Sequence, residues 1–585
     1  MEKCVTESLV CLDQLLPFRR RSGARVFLPP TAMTACHDQD PVVAVDTGHI
    51  FVDRGAEFLL TALLQLAMPP MDSTEWAALY RVPPSPDELA TALAPLRPAL
   101  DLVHPQHPML QVRPDQAALD AIAKPAPKRP KPASPAGDGE DEEAGEDSIA
   151  TLLPDRPTSN DVLHNKDVFA KRQVDFMLSA GVVGALLYAH IVLFPLGRGG
   201  YLGLPHGSRS VKFALTGGTL WRSLWLNVLD ADDARFAGTS ETWPVHAALN
   251  RRVAVVDGRS FAWMRPELSA LSLARGTQSV VHAHEFNVAG IPMQRRYQLA
   301  PPQQGLCHLT GAEAPVFARY VRWPGGLDFN GTEWMPLCVA DWLQENGQRR
   351  FVQVGDHPLR LDDLLEVPIA IGPARRDGSP RLSALDALAE RAAEIGEEPD
   401  EISAVTSRLC VSLRATALGG DKVAAFLTER SLSLYQLAEE EGGRLLAGLR
   451  ESGEALRTSK TLLTKAAKAV LQPRDRDRKQ GDRDRKQDRK FTEYLGDTLA
   501  LRMEDALAQL TVALARTNPP PGYGPEVKRN FVTVLKKSCL DVFDEAFPLP
   551  PGESEAAHIA IERRRLLADL HKKFDRQLNA VRGQA

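Results

Sequence analysis

Leu449, Leu456, Leu463 and Val470 recur every seven residues, and nothing else in the chain limits its fold so tightly. Seven residues make about two helical turns, so the repeat lies on one face of an α-helix. Leu495, Leu499, Met503, Leu507, Leu510 and Leu514 mark a second helix. Val527, Phe531, Leu535, Val542 and Phe543 mark a third, and Ile559, Leu566, Leu570, Phe574 and Leu578 a fourth. Prolines separate the last three, at Pro519-Pro520-Pro521 and then at Pro548, Pro550 and Pro551. Four amphipathic helices so spaced predict an antiparallel four-helix bundle over residues 432–585. The stripes read as core. They lack the paired Glu-x-x-His motifs of a metal-binding bundle, so no cofactor is expected.

Residues 1–430 have a different character. Arg25-Val26-Phe27-Leu28 and Pro41-Val42-Val43-Ala44-Val45 read as strands. Gly55 to Met68, GAEFLLTALLQLAM, reads as a buried helix that Pro69-Pro70 stops. Short strands and turns continue over residues 160–430, where Trp221, Trp225, Trp243, Trp263, Trp323, Trp334 and Trp342 fall. No regular βαβ alternation appears. The expected class is therefore α+β: a mixed N-terminal domain with irregular short sheets, then the bundle. Two biased segments interrupt it. Lys124 to Ser148 is Pro-rich and basic, then strongly acidic, and reads as a disordered insertion. Arg474 to Lys490, RDRDRKQGDRDRKQDRK, reads as a charged, solvated loop or as a helix extension laced with ion pairs.

The 585 residues are too many for one core. No long uncharged apolar run predicts a membrane span, and the first residues lack a signal peptide's order, so a cytoplasmic protein with no membrane partner is expected. The seven cysteines are scattered without a CxxC. A formal net charge of −5 means that any contact with nucleic acid uses local patches or a larger assembly.

Catalytic motifs are missing. His282 and His284 would share one face of a strand and, with Glu285, offer metal ligands, but no further ligand stands at a recognisable spacing. His37-Asp38 is like the pair of metal-dependent phosphohydrolases, without the remaining histidines. No G-x-S-x-G, H-E-x-x-H or P-loop occurs. PLGRGGYLG, from Pro195 to Gly203, has no P-loop lysine. Such a loop can cradle a phosphate, press its backbone into a groove, or only turn.

Asp101 to Val112, DLVHPQHPMLQV, resembles a stretch of the CasA family, the large subunit of the type I-E CRISPR surveillance complex Cascade. The similarity continues in order. DQLLPFRR (Asp13–Arg20) resembles the family's opening strand, without its Trp. GAEFLLTALLQLAMPP resembles its first long helix. NDVLHNK (Asn160–Lys166) resembles the loop before the second helix, and the glycine loop follows. TLWRSLWLNVL (Thr219–Leu229) resembles a later helix. Trp243-Pro244 and Trp263 stand where the family has tryptophans, and a bundle closes the chain. Several members carry a cysteine cluster near Gly305 to Gly311; here only Cys307 remains, so no zinc is expected.

The resemblance implies a non-enzymatic subunit. Its partners would be the other Cascade subunits, the guide crRNA, double-stranded target DNA and a helicase-nuclease effector. It would read a short protospacer-adjacent motif (PAM), largely from the minor groove, and promote duplex opening and R-loop formation in antiviral defence. The guide then supplies sequence specificity by pairing. Gly197, Arg198, Gly199, Gly200 and Tyr201 fall where the family's glycine loop meets the groove. Glycines let a backbone approach closely, and a guanidinium suits a narrow, electronegative groove. Gly419, Gly420, Asp421 and Lys422, within Leu418 to Val423, fall at a finger that splits the first base pair, Lys422 standing for a glutamine. Arg319 and Arg322 are nearest to a basic residue that reaches the minor groove, and either is equally a surface arginine. His164, Asn165 and Lys166 match the loop that meets the RNA handle and PAM-proximal DNA. Two other classes stay open: a metal-dependent nuclease using His282, His284 and Glu285, and a scaffold that binds only proteins.

Overall fold

The computed structural model describes residues 8–123, 147–156, 176–193, 210–231, 256–269, 278–282, 285–287, 289–323, 326–329, 338–343, 349–354, 359–364, 367, 369–371, 381–395, 411–419, 426–471, 482–520, 522–549 and 553–582. Contacts group the chain into two units. One is Met1–Pro358 with Arg381–Ser431; the other is Leu359–Pro380 with Leu432–Ala585.

The first unit is α+β. Strands Leu16–Arg20, Arg25–Leu28 and Val42–Val45 form an antiparallel sheet with Leu16–Arg20 in the middle. Helix Ile50–Ala67 follows, then Ser73–Arg81 and Pro86–Leu93. The last begins with a capping box: Ser85 accepts from the Glu88 N–H, and Glu88 accepts from the Ser85 N–H. The sequence predicts the long helix from Gly55, yet it starts five residues earlier. Asp53 accepts from the Thr47 N–H at 2.7 Å and from the Thr47 hydroxyl at 2.6 Å, which ties the first turn to the preceding chain. Gly55 belongs inside the helix because a Cβ there would stand 2.5 Å from the Ala185 carbonyl oxygen and 2.6 Å from the Ala189 Cβ. Helix Ala180–Val192 thereby crosses at backbone distance, and every one of its residues is buried.

Small sheets follow in this unit, among them the antiparallel Asp147–Ser148, Arg319–Trp323 and Arg296–Leu299, with Arg319–Trp323 in the middle. The expected insertion 124–148 is therefore shorter at its end, since Asp147 and Ser148 pair with Tyr320 and Arg319. Cys307 is buried, and hydrogen bonds with Thr310 and Ser179 outweigh burial to hold its thiol below the ordinary value.

The second unit is helical: Glu439–Leu471, Asp482–Arg502, Glu504–Leu514, Tyr523–Ala546 and Glu553–Arg582. Side-chain contacts fix its directions. Ala469 accepts from His558 and Lys465 meets Asp569, so the first and last helices run antiparallel. Glu451 meets Lys528 and Ser459 meets Cys539, so Tyr523–Ala546 runs parallel to the first. Gly448 abuts Leu514 and Gly496 abuts Lys460, so the second stretch runs antiparallel to it. This is an up-down-up-down bundle. The second helix expected from the stripes is two, parted at Met503, whose N–H is shared by the Leu499 and Ala500 carbonyls at 3.1 Å each. Of the two readings of Arg474–Lys490, a charged loop or a helix extension, the helix extension is found from Asp482 onward. Arg489 there pairs with Glu493 one turn on, at 2.8 Å. No helix among the described residues is long and apolar enough to cross a membrane.

Candidate nucleic-acid interface

Strands Ser412–Gly419 and Phe426–Ser433 flank residues 420–425 and lie side by side in a three-stranded sheet with Lys212–Thr216. The apolar side chains of Leu413, Ala415 and Ala417 are buried, which fixes the face the first strand turns inward. That strand pairs antiparallel with Lys212–Thr216, from Ser412↔Thr216 to Thr416↔Lys212. Going outward from Thr416 therefore runs the same way as going backward from Lys212 through Ser210. The stem of the hairpin and the stem of the glycine-loop segment leave the sheet at the same end.

Lys212 marks that end. It is 2% exposed, and its ammonium donates to the Ser210 carbonyl at 2.9 Å and to the Ser210 hydroxyl. Burial pulls it down to about 8. On the other side, helix Ala180–Val192 closes with the Leu193 N–H on the Ala189 carbonyl at 2.8 Å. Gly197, Arg198, Gly199, Gly200 and Tyr201 fall between these anchors, outside the described residues, as do Gly420, Asp421 and Lys422. Gly419 ends the outgoing strand.

Four charged side chains bind the hairpin to helix Ile50–Ala67. The Arg54 guanidinium donates to both Glu429 oxygens, Nε to Oε1 at 2.5 Å and Nη2 to Oε2 at 3.0 Å. Its third arm reaches Glu57 at 2.6 Å. Glu57 takes Arg414 on its other oxygen. Thr416 donates across the hairpin to Glu429 at 2.9 Å. Burial would raise the Glu429 carboxyl, but Arg54, Arg414 and Thr416 outweigh it and hold it below its ordinary value. Sequence reading missed this cluster. Its one local signal is the Arg54–Glu57 pair at i,i+3 in a mostly apolar helix, where buried charge demands partners. A cavity of about 40 Å³ opens beside Glu57 and Arg414, lined also by Phe58, Tyr188 and Phe213. It holds about three waters and is too small for a nucleobase.

The remaining expected residues fall elsewhere. Arg319 and Arg322 are exposed on strand Arg319–Trp323. Three residues apart, they point to opposite faces of the strand and do not line one groove together. His164, Asn165, Lys166 and His284 lie outside the described residues. Glu285 serves its own turn, accepting from the His282 N–H at 3.1 Å and facing Arg265 at 3.7 Å. Among the described residues no group of three or more His, Cys, Asp or Glu is placed to hold a metal. The DLVHPQHPMLQV stretch builds the fold: buried Asp101 accepts from the Ser8 hydroxyl and the Leu9 and Val103 N–H groups. TLWRSLWLNVL does likewise, its Asn227 amide bonding both the N–H and the carbonyl of Leu215.

A family model described as CRISPR-associated protein Cse1 matches residues 12–542. Solved structures agree along the length of the chain. CasA (Cse1) of Thermus thermophilus is 15% identical over 97% of this chain and 100% of its own, with a TM-score of 0.59. Cse1 of Thermobifida fusca is 16% identical over 97% of this chain and 98% of its own, at 0.58. A chain of a CRISPR RNA-guided surveillance complex is 15% identical over 96% of this chain and 99% of its own, at 0.57. No curated protein sequence matches.

Proposed function

The chain belongs to the CRISPR-associated protein Cse1 family, the large subunit of Cascade, and from that premise we propose that it reads the PAM in duplex DNA and starts duplex opening. In this reading it performs no chemistry. It works with the other Cascade subunits and the crRNA, supports R-loop formation, and recruits the helicase-nuclease that degrades the target. The observation that carries the reading is the Lys212↔Thr416 pairing. It sends the glycine-loop stem and the hairpin stem out of one end of one sheet, as a groove-reading loop beside a wedge requires. The formal net charge of −5 fits a subunit whose partners supply much of the positive surface.

The test is binding of the assembled, crRNA-loaded complex to a panel of PAM duplexes at several salt concentrations. Gly200→Val puts a branched side chain where the backbone would approach the groove, and PAM-dependent binding should fall while assembly persists. Arg198→Ala should relax PAM discrimination if the guanidinium reads the groove floor. If it meets only phosphate, binding should weaken uniformly and the salt slope should fall by about 1. Unchanged affinity and preference in both variants would remove the glycine loop from the site. DNA cleavage by the isolated chain, abolished by chelation, would favour a nuclease instead.

A further inference from the structure

We infer that Arg54 and Glu57 are positioning residues that set the angle at which the 412–433 hairpin meets DNA. This rests on the reading of its tip as the duplex-opening finger. The outgoing strand has a second neighbour in Lys212–Thr216, whereas the return strand Phe426–Ser433 is at the sheet's edge. A two-stranded ribbon is poorly stiff by itself. Gly419 lies three residues beyond Thr416, about 10 Å along the strand. A tilt of roughly 20° at Thr416 would therefore shift Gly419 by about 3.5 Å, close to the axial rise of one base pair in duplex DNA.

The ion network removes that tilt from both strands at once. Glu429 is on the return strand and Arg414 on the outgoing one; Arg54 and Glu57 lie one turn apart on helix Ile50–Ala67. The side chains are 8–18% exposed, and two guanidiniums balance two carboxylates. The Arg54 fork fixes the plane of the Glu429 carboxylate, which a point charge would not do. The hydroxyl of Thr416 locks that same carboxylate to the outgoing strand. Direction, more than mere attachment, is what such a bidentate clamp supplies.

Arg54→Lys keeps the charge and removes the fork. The experiment uses the full crRNA-loaded complex and duplexes with 2-aminopurine at the first protospacer base pair. Assembly and PAM-duplex binding should match wild type. The opening rate should fall by roughly tenfold, the scale of a charge-assisted hydrogen bond. A duplex already mismatched at that base pair should restore the rate. Thr416→Val should give a smaller loss of the same kind, and it decides the matter if the Arg54→Lys complex does not assemble. Wild-type opening rates in the variants overturn the inference alone, as does a deficit that persists on the mismatched duplex. Failure of the wild-type complex to open any PAM duplex overturns the proposed function and the inference together.

Discussion

The two units bury different chemistry. In the helical unit, Leu456, Leu463, Leu499, Leu535, Leu570 and Phe543 are fully buried and come from repeats written within single helices. In the α+β unit, buried polar groups reach across the chain to backbone. Gln65 bonds both the N–H and the carbonyl of Leu229, at 2.7 and 3.1 Å. Trp76 and Trp225 exchange indole-to-carbonyl bonds, and Trp263 donates to Ala99 at 2.8 Å. One unit is specified by periodicity and the other by long-range pairing of polar groups, each costly to leave unmade.

The largest effect that could break this contrast belongs to Gln65→Met. The swap keeps length and removes both bonds, orphaning two buried backbone groups at roughly 1–3 kcal/mol each. All eight tryptophans precede residue 343, so tryptophan fluorescence, excited selectively over tyrosine, follows the α+β unit during denaturation. A loss below about 1 kcal/mol would show that the polar pairing is dispensable. Next comes Leu570→Ala in the helical unit, expected to cost about 2–5 kcal/mol as a cavity in an apolar core and to be read by helical circular dichroism. A negligible loss would mean that the stripe does not carry the bundle.

Asp53 gives the α+β unit a pH response. Burial raises its carboxyl from 3.8 to about 6, against the Thr47 bonds that lower it. The folded chain thus binds the proton more readily than the unfolded one. The stability it contributes is full below pH 4 and lost as pH rises through 6. Asp53→Asn should remove a slope of at most about 1.4 kcal/mol per pH unit in that window, seen in denaturant titrations from pH 4 to 7. An unchanged profile would place the titration elsewhere. The smallest effect sharpens the contrast. The Ser459 hydroxyl is buried without a hydrogen-bond partner. Ser459→Ala should be neutral or stabilise by about 1 kcal/mol, whereas a loss would reveal a polar pairing inside the bundle.

The same contrast explains what the sequence made legible. The stripe residues Leu449, Leu456, Leu463, Phe531, Leu566 and Leu570 are all buried, because a helix brings its own neighbours together. Strand Arg25–Leu28 is found as expected. The break at Met503 left no mark, since Leu499, Met503 and Leu507 keep helical spacing across it. The helix start at Ile50 was hidden because Thr47 and Asp53 act across the boundary. The clamp on the hairpin was least legible: Glu57 and Arg414 are 357 positions apart, and Arg54 and Glu429 are 375. No local pattern records a partner that far away. The expected glycine-loop residues and Lys422 remain proposals, because they fall outside the described residues.

Strand Ser412–Gly419 extends the sheet begun by Lys212–Thr216 and, with Phe426–Ser433, supplies partners for the charges buried on helix Ile50–Ala67. During synthesis at about 5–20 residues per second, it is made roughly 20–70 s after that helix. Until then Glu57 lacks Arg414, and Arg54 lacks Glu429. The α+β unit is thus a late-closing fold on the ribosome, and its earliest long helix waits with an apolar surface and an ion pair short of its outer partners. A nascent chain stalled between residues 216 and 412 should recruit chaperones more strongly than one stalled after residue 433.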